Sequence, residues 1–257
     1  MPRKRERFER SDVPRDNPHR NLIALAVLLA IAVIGYLLVD MLWGRVEIEA
    51  HMDDPALAEA LGEQPGPTAL EGDFYYTDND IEKILFLHVD DVDADRPQLL
   101  GAQLLLIDEA GAAAHLVDVP ITVRVSTEGS TYAFREYFDS YGPEASIPLI
   151  TTSFNLYADH TIMGEESPWA SIIGLSGTNP LNVVDTDPEF VKGIRTDLGG
   201  GELVEHGTLF QTLGVGSLEI EACPVVEEEM NEAGEVTRVS VDLVSFGLQT
   251  GILIANE

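Results

Sequence analysis

The chain has 257 residues, with 45 Asp and Glu against 15 Lys and Arg and a formal charge of -30. Apolar residues make up 45% and charged residues 23%, enough to build a core, so wholesale disorder is excluded and one large domain or two small ones are expected. The acid excess excludes a free-standing nucleic-acid binder, which needs a basic surface, and the single Cys excludes an intramolecular disulfide framework.

In chain order, residues 1–20 form a basic tail with seven basic and four acidic residues, a net +3. Residues 22–39 then run for 18 positions without a charge. With the four residues Asp40 to Trp43 they make 22, which as helix is about 33 Å, long enough to cross a hydrocarbon core of about 30 Å. Trp43 and Arg45 fall where an aromatic belt and a snorkelling charge belong. The segment 21–43 is therefore expected to be a transmembrane signal anchor. The competing reading is a cleavable signal peptide; its apolar run is usually shorter, and no A-x-A-like site follows Trp43. Positive residues stay on the cytoplasmic side, so the N-terminus is expected in the cytoplasm and residues 44–257 beyond the cell membrane. That outer part carries eight basic residues and 40 acidic ones, a net -32.

Residues 44–80 are acidic and hold Pro55, Pro65, Pro67, Gly62, Gly66 and Gly72. They read as a stalk or linker with one short helix at 55–61, Pro55 sitting in its first turn. The outer domain is expected over 81–257. Lys83-Ile-Leu-Phe-Leu-His-Val89 and Gln103-Leu-Leu-Leu-Ile107 are continuous apolar runs, as in strands covered on both faces. A third extended stretch, 115–126, is interrupted by Pro120. Helical patterns follow at 131–138 and 145–157, a short strand at 160–163, and helices at 167–175 and 203–213. Residues 217–222 and 236–244 alternate, and Asn231-Glu-Ala-Gly234 is a hairpin turn. The expected fold class is α/β: a mixed central sheet with helices on both faces, preceded by one transmembrane helix.

Asp90, Asp91, Asp93 and Asp95 follow the first strand, and a solvated acidic loop is the expectation there. The spacing of Asp91, Asp93 and Asp95 resembles the start of a calcium loop, but Arg96 stands where the turn needs Gly and Ala102 where it needs the bidentate Glu. Asp90, Asp91 and Asp93 are the candidate cation ligands. Gly199-Gly-Gly201 precedes a helix without the Lys-Ser/Thr of a phosphate loop; Glu202 and Glu205 there complement the helix dipole. The six histidines show no metal-ligand spacing such as H-E-x-x-H, and His88 and His115 read as packed against strands. Cys223 reads as a small buried hydrophobe.

The order of these pieces resembles the LytR-CpsA-Psr family of cell-wall glycopolymer transferases, over about residues 81–213. Ile84-Leu-Phe-Leu-His-Val-Asp90 resembles the family's first core strand with its terminal Asp, and Leu104-Leu-Leu-Ile-Asp108 the second. Val117-Asp-Val-Pro120 resembles the strand leading into Ser-x-Pro-Arg-Asp. Tyr141-Gly-Pro143 resembles the Gly-Gly-Pro segment, and Arg195-Thr-Asp-Leu-Gly-Gly-Gly-Glu202 the segment before the last catalytic helix. The resemblance implies a basic cytoplasmic tail, one signal anchor and an outer α/β/α domain in the cell envelope. It also implies phosphoryl transfer from a polyprenyl-pyrophosphate glycan, with arginines clamping the pyrophosphate and carboxylates holding Mg²⁺. This chain departs from that pattern. Ile121 and Thr122 follow Pro120, Glu202, Glu205 and Thr208 replace the Asp and both arginines of the last helix, and no metal-binding Asp stands near 100–102. Asp90, Arg124 and Arg195 remain as catalytic candidates. The expectation is an envelope-binding or scaffolding domain without catalysis. An active transferase and an acidic ectodomain binding cations or a protein stand as alternatives. The partners implied are the lipid bilayer and a polyprenyl-linked glycan or an envelope protein, with no nucleic acid; Mg²⁺ is the one cofactor the resemblance suggests.

Overall fold

The strand Ile81–Val89 shows why the apolar runs are continuous. Its residues Leu85, Leu87 and Val89 enter one core, and Ile84 and Phe86 enter a second. Successive side chains of a strand point to opposite faces, so a strand buried on both faces leaves no polar position in its middle. In a computed structural model the described residues are 51–70, 72–165, 172 and 192–255. The basic tail, the segment 21–43 and all but one residue of the helix expected at 167–175 lie outside them. Among the described residues no helix is long and apolar enough to cross a membrane. All of them belong to one compact unit, Glu47–Glu257.

The elements in order are α1 (Pro55–Gly62), β1 (Phe74–Tyr76), β2 (Ile81–Val89), β3 (Leu99–Asp108), β4 (Ala113–Asp118), β5 (Arg124–Ser126), β6 (Thr131–Ala133), α2 (Phe134–Tyr141), α3 (Pro143–Ser153), β7 (His160–Gly164), β8 (Ile194–Thr196), α4 (Gly200–Leu213), β9 (Ile220–Ala222), β10 (Val225–Met230), β11 (Val236–Val241), α5 (Leu243–Gln249) and β12 (Leu253–Ala255). Six strands form the main sheet in the order β8-β7-β2-β3-β4-β9. It is mixed: β2 runs parallel to β7 and antiparallel to β3, and β4 runs parallel to β9. On one face Leu57 of α1, Phe134 and Phe138 of α2, and Ile147 and Ile150 of α3 pack with Leu85, Leu104 and Val117. On the other, Leu203 and Phe210 of α4 pack with Ile84, Leu105 and Ile162. The mixed sheet with helices on both faces is the architecture expected.

Three details differ from expectation. The helix expected at 131–138 begins only at Phe134, because 131–133 pair as a strand with β5. The alternating run 236–244 ends at Val241, and a helix, α5, follows; Asp242 caps it through the Ser245 N–H. Residues 51–64 are part of the domain and not a free linker. Backbone bonds run from Thr196 N to His51 O and from Asp54 N to Thr196 O, and Leu57 is fully buried. The helix expected at 55–61 is present, but its Leu57 and Ala60 face the core.

Candidate functional site

Arg195 lies in β8, at one edge of the sheet. Its partner across the ladder is Met163, whose partner in turn is Leu87. Asp54 approaches it from the α1 side: the Arg195 Nε donates to Asp54 Oδ2. Arg195 Nη2 donates to Glu144 Oε1 of α3 at 2.6 Å. Burial works against the guanidinium charge, but the hydrogen bonds and charges of Asp54 and Glu144 outweigh it, and the pKa is raised. The cation is thus held between two carboxylates of its own chain.

Arg124 lies in β5 and meets a different pair. Its Nη2 donates to Glu229 Oε1 at 2.5 Å, and its Nη1 stands 3.5 Å from Glu227. Glu229 also accepts from Arg238 Nε at 2.7 Å. The Arg124 carbonyl accepts from Ser153 Oγ at the end of α3, whereas Arg195 holds Glu144 at its start. Nine helical residues at ~1.5 Å each put these two places about 14 Å apart.

Asp90 follows the last residue of β2, three residues beyond Leu87, two strands over from Arg195. Strand spacings of ~4.8 Å and rises of ~3.3 Å separate their Cα atoms by about 14 Å. The Asp90 carboxylate accepts from Gln98 N at 2.7 Å and closes the loop after β2. Asp90 and Arg195 thus belong to strands two apart in the sheet, and Arg124 and Arg195 meet opposite ends of α3.

The carboxylates expected to hold a cation do not converge. Asp91 Oδ1 accepts from Asp93 N at 2.9 Å, and Asp93 pairs with His51 at 3.0 Å. Among the described residues only one group brings three potential ligand atoms within 4.8 Å of one another, and it contains none of Asp90, Asp91 or Asp93. They are exposed and spent on shaping their loop, so the Mg²⁺ that the resemblance implies finds no fitting donor set there.

The N-terminus of α4 is likewise committed. Glu202 reaches back to accept from Gly199 N at 2.8 Å. A Cβ at Gly199 would lie 3.0 Å from Asp53 Oδ1. With Asp53 and Glu202 beside it, this helix end disfavours an incoming phosphate.

The group that does converge is Glu82, His160 and His206, from β2, β7 and α4. Glu82 lies two residues before Ile84 and shares its face, and His206 lies on the buried stripe of α4 between Leu203 and Phe210. His160 Nδ1 faces Asp197 Oδ2 at 2.7 Å. His206 Nδ1 faces the Glu202 carbonyl at 2.7 Å and its Nε2 faces Glu82 Oε1 at 2.6 Å. His160 Nε2 is 3.9 Å from the same Glu82 oxygen. Burial lowers the affinity of each imidazole for a second proton. The acceptors prevail, through Asp197 at His160 and through Glu82 and Glu202 at His206, and both pKa values are raised. Burial raises the Glu82 carboxyl, but His206, His160 and Lys83 bring it below the ordinary value. Glu82 and His160 open on a cleft of about 660 Å³ also lined by Asp80, Glu109 and Asp159. The residue spacing hides this cluster; the detectable signal is a polar residue on the apolar face of a strand and another on the apolar stripe of a helix.

No family model and no curated protein matches the chain. Solved structures similar to it include B. subtilis TagV, at 10% identity over 67% of this chain and 95% of that one, with a TM-score of 0.47. B. subtilis TagT is 11% identical over 73% and 95%, with a TM-score of 0.37. A LytR-CPS2A-psr family protein, YwtF (TagT), solved with bound octaprenyl pyrophosphate lipid, is 10% identical over 73% and 97%, with a TM-score of 0.38. The family that the motif order resembles stands among these neighbours.

The remaining expectations concern single residues. Cys223 is buried, and burial, with Asp118 nearby, pushes its thiol up to about 12. His115 Nδ1 meets Glu221 at 2.8 Å and His88 Nε2 meets the Glu165 carbonyl at 2.5 Å; both are half-buried and held by polar partners.

Proposed function

We propose that the chain is a single-pass protein of the cell membrane whose N-terminus is cytoplasmic. Its outer domain would be a divergent LytR-CpsA-Psr-like fold that binds or scaffolds in cell-envelope assembly without transferring phosphoryl groups. The observation that carries the second half is Arg195 held between Asp54 and Glu144. A pyrophosphate reaching this cation must displace two carboxylates, one of them buried. Arg124 is similarly paired with Glu229 and Glu227. One electrostatic donor in an active site is worth about 10²–10³ in rate, so the loss of a whole clamp removes transfer. The net -32 of residues 44–257 adds long-range repulsion of the same sign.

The test is a transfer assay on the full chain in lipid nanodiscs, with a polyprenyl-pyrophosphate glycan as donor and peptidoglycan as acceptor. The expected result is no transfer above the protein-free rate. Transfer that disappears in Arg195→Ala would overturn the proposal. The topology is tested separately: protease added to intact spheroplasts should digest residues 47–257 and spare an epitope in residues 1–20.

A further inference from the structure

We propose that Glu82, His160 and His206 form a binding site for a divalent transition-metal ion of the zinc class, through one carboxylate oxygen and the two Nε2 atoms. The inference rests on neither the family resemblance nor the envelope role.

The donor set comes first. Two imidazoles and a carboxylate are borderline ligands that suit Zn²⁺ and its neighbours in the first transition row, whereas Mg²⁺ and Ca²⁺ prefer all-oxygen shells. The imidazoles are also oriented for the task. His160 turns Nδ1 to the Asp197 carboxylate and His206 turns Nδ1 to the Glu202 carbonyl. These contacts fix Nδ1 as the protonated nitrogen and leave each Nε2 to face Glu82. A carboxylate or backbone carbonyl behind the outer nitrogen is the usual support of a metal-bound histidine. Asp197 is itself fixed, since it accepts from Thr161 N at 2.7 Å through its other oxygen.

The distances follow. Ligands bound to one tetrahedral ion at about 2.0–2.2 Å lie roughly 3.3–3.6 Å from each other. Glu82 Oε1 is 2.6 Å from His206 Nε2 and 3.9 Å from His160 Nε2. Both separations reach the tetrahedral value by shifts of under about 1 Å, and the three elements already pack together.

The charge agrees. His206 Nε2 and the Glu82 carboxylate oxygen face each other at 2.6 Å, and an ion between them would be bound by both. The surroundings favour it: Asp80, Glu109 and Asp159 line the adjoining cleft, and of these Asp159 is paired with Lys83 at 3.0 Å. The cleft side would leave a fourth position to water.

The experiment uses the full chain in detergent, stripped with a chelator, titrated with Co²⁺ and then displaced with Zn²⁺. One Co²⁺ per chain should bind, with the visible bands of a low-coordinate ion, and Zn²⁺ should abolish them and raise the melting temperature. His160→Gln and Glu82→Gln should remove the bands. Asp197→Asn should weaken binding about 10–100-fold while leaving the spectrum recognisable, and His115→Gln should change neither. Should His206→Gln fail to fold, His160→Gln and Asp197→Asn still decide the matter. No saturable Co²⁺ or Zn²⁺ binding, or binding equally strong in His160→Gln and Glu82→Gln, overturns the assignment.

Discussion

The carboxylate of Asp54 is divided between two tasks: Oδ1 accepts from Ala56 N at 2.8 Å and from Leu57 N at 3.4 Å, and Oδ2 accepts a hydrogen bond from Arg195 Nε. One side chain therefore starts α1 and ties it to the sheet edge 141 residues later. Asp54→Ala removes both. The cap alone is worth about 1 kcal/mol and a partly exposed ion pair about the same, so a loss of about 2 kcal/mol in urea unfolding is expected. A double-mutant cycle with Arg195→Met should show positive coupling; no coupling would mean that the pair adds nothing.

Residues 51–64 should be indispensable. Leu57→Ala opens a cavity in the core beneath α1 and should cost about 2–5 kcal/mol. A chain beginning at residue 76 should fail to give a cooperative melt, whereas one beginning at residue 47 should give the same transition as the full chain's outer domain. Equal melting temperatures for the two truncations would contradict the placement of α1.

Gly247 is the contact point of α5 with β12. A Cβ there would fall 2.4 Å from Leu253 Cγ and 2.5 Å from Leu253 Cδ1, and Leu253 is buried. In an open helix Gly→Ala gains about 1 kcal/mol; here overpacking of about 1–3 kcal/mol opposes it. Gly247→Ala should therefore lower the melting temperature, and Leu253→Ala should cost less in the Gly247→Ala chain than in the unaltered one, a coupling that a double-mutant cycle reads.

Cys223 should be unreactive in the folded protein. Its thiol is pushed from 9.0 up to about 12, so the reactive thiolate is scarce at pH 8. Alkylation by iodoacetamide should be slow in native buffer and fast in urea. The sign for stability follows: the unfolded chain ionises this thiol near 9.0 and the folded chain only near 12, so the fold loses stability between those values. Cys223→Ser should flatten that part of the pH profile.

The sheet was legible where burial is two-sided, because Lys83 to Val89 and Gln103 to Ile107 leave no alternation to confuse with an exposed strand. The hairpin was legible too, since Asn231 and Gly234 are turn residues, and Gly234 adopts a φ of 80° that favours glycine. The packing of α1 was less visible. Leu57, Ala60 and Leu61 have helical spacing, yet the surrounding acids, prolines and glycines read as a linker, and only the distant Arg195 and Thr196 show where the segment goes. α5 escaped because seven residues are too few for a period to emerge. Arg124 and Arg195 were found as residues, but their carboxylate partners come from α1, α3 and β10, far away in sequence. Glu82, His160 and His206 were invisible as a group for the same reason: each is an isolated polar residue in its own element until the sheet and α4 bring them together.

The pairing of β1 with β12 bears on the order of folding. Tyr76 sits opposite Leu253, so a strand that precedes the central sheet in the chain waits for one that follows it. Closing so long a loop is slow relative to local hairpins, and β2 with β3 can form well before it. Without Leu253, α5 loses the side chain that packs on Gly247 and β1 keeps an unpaired edge.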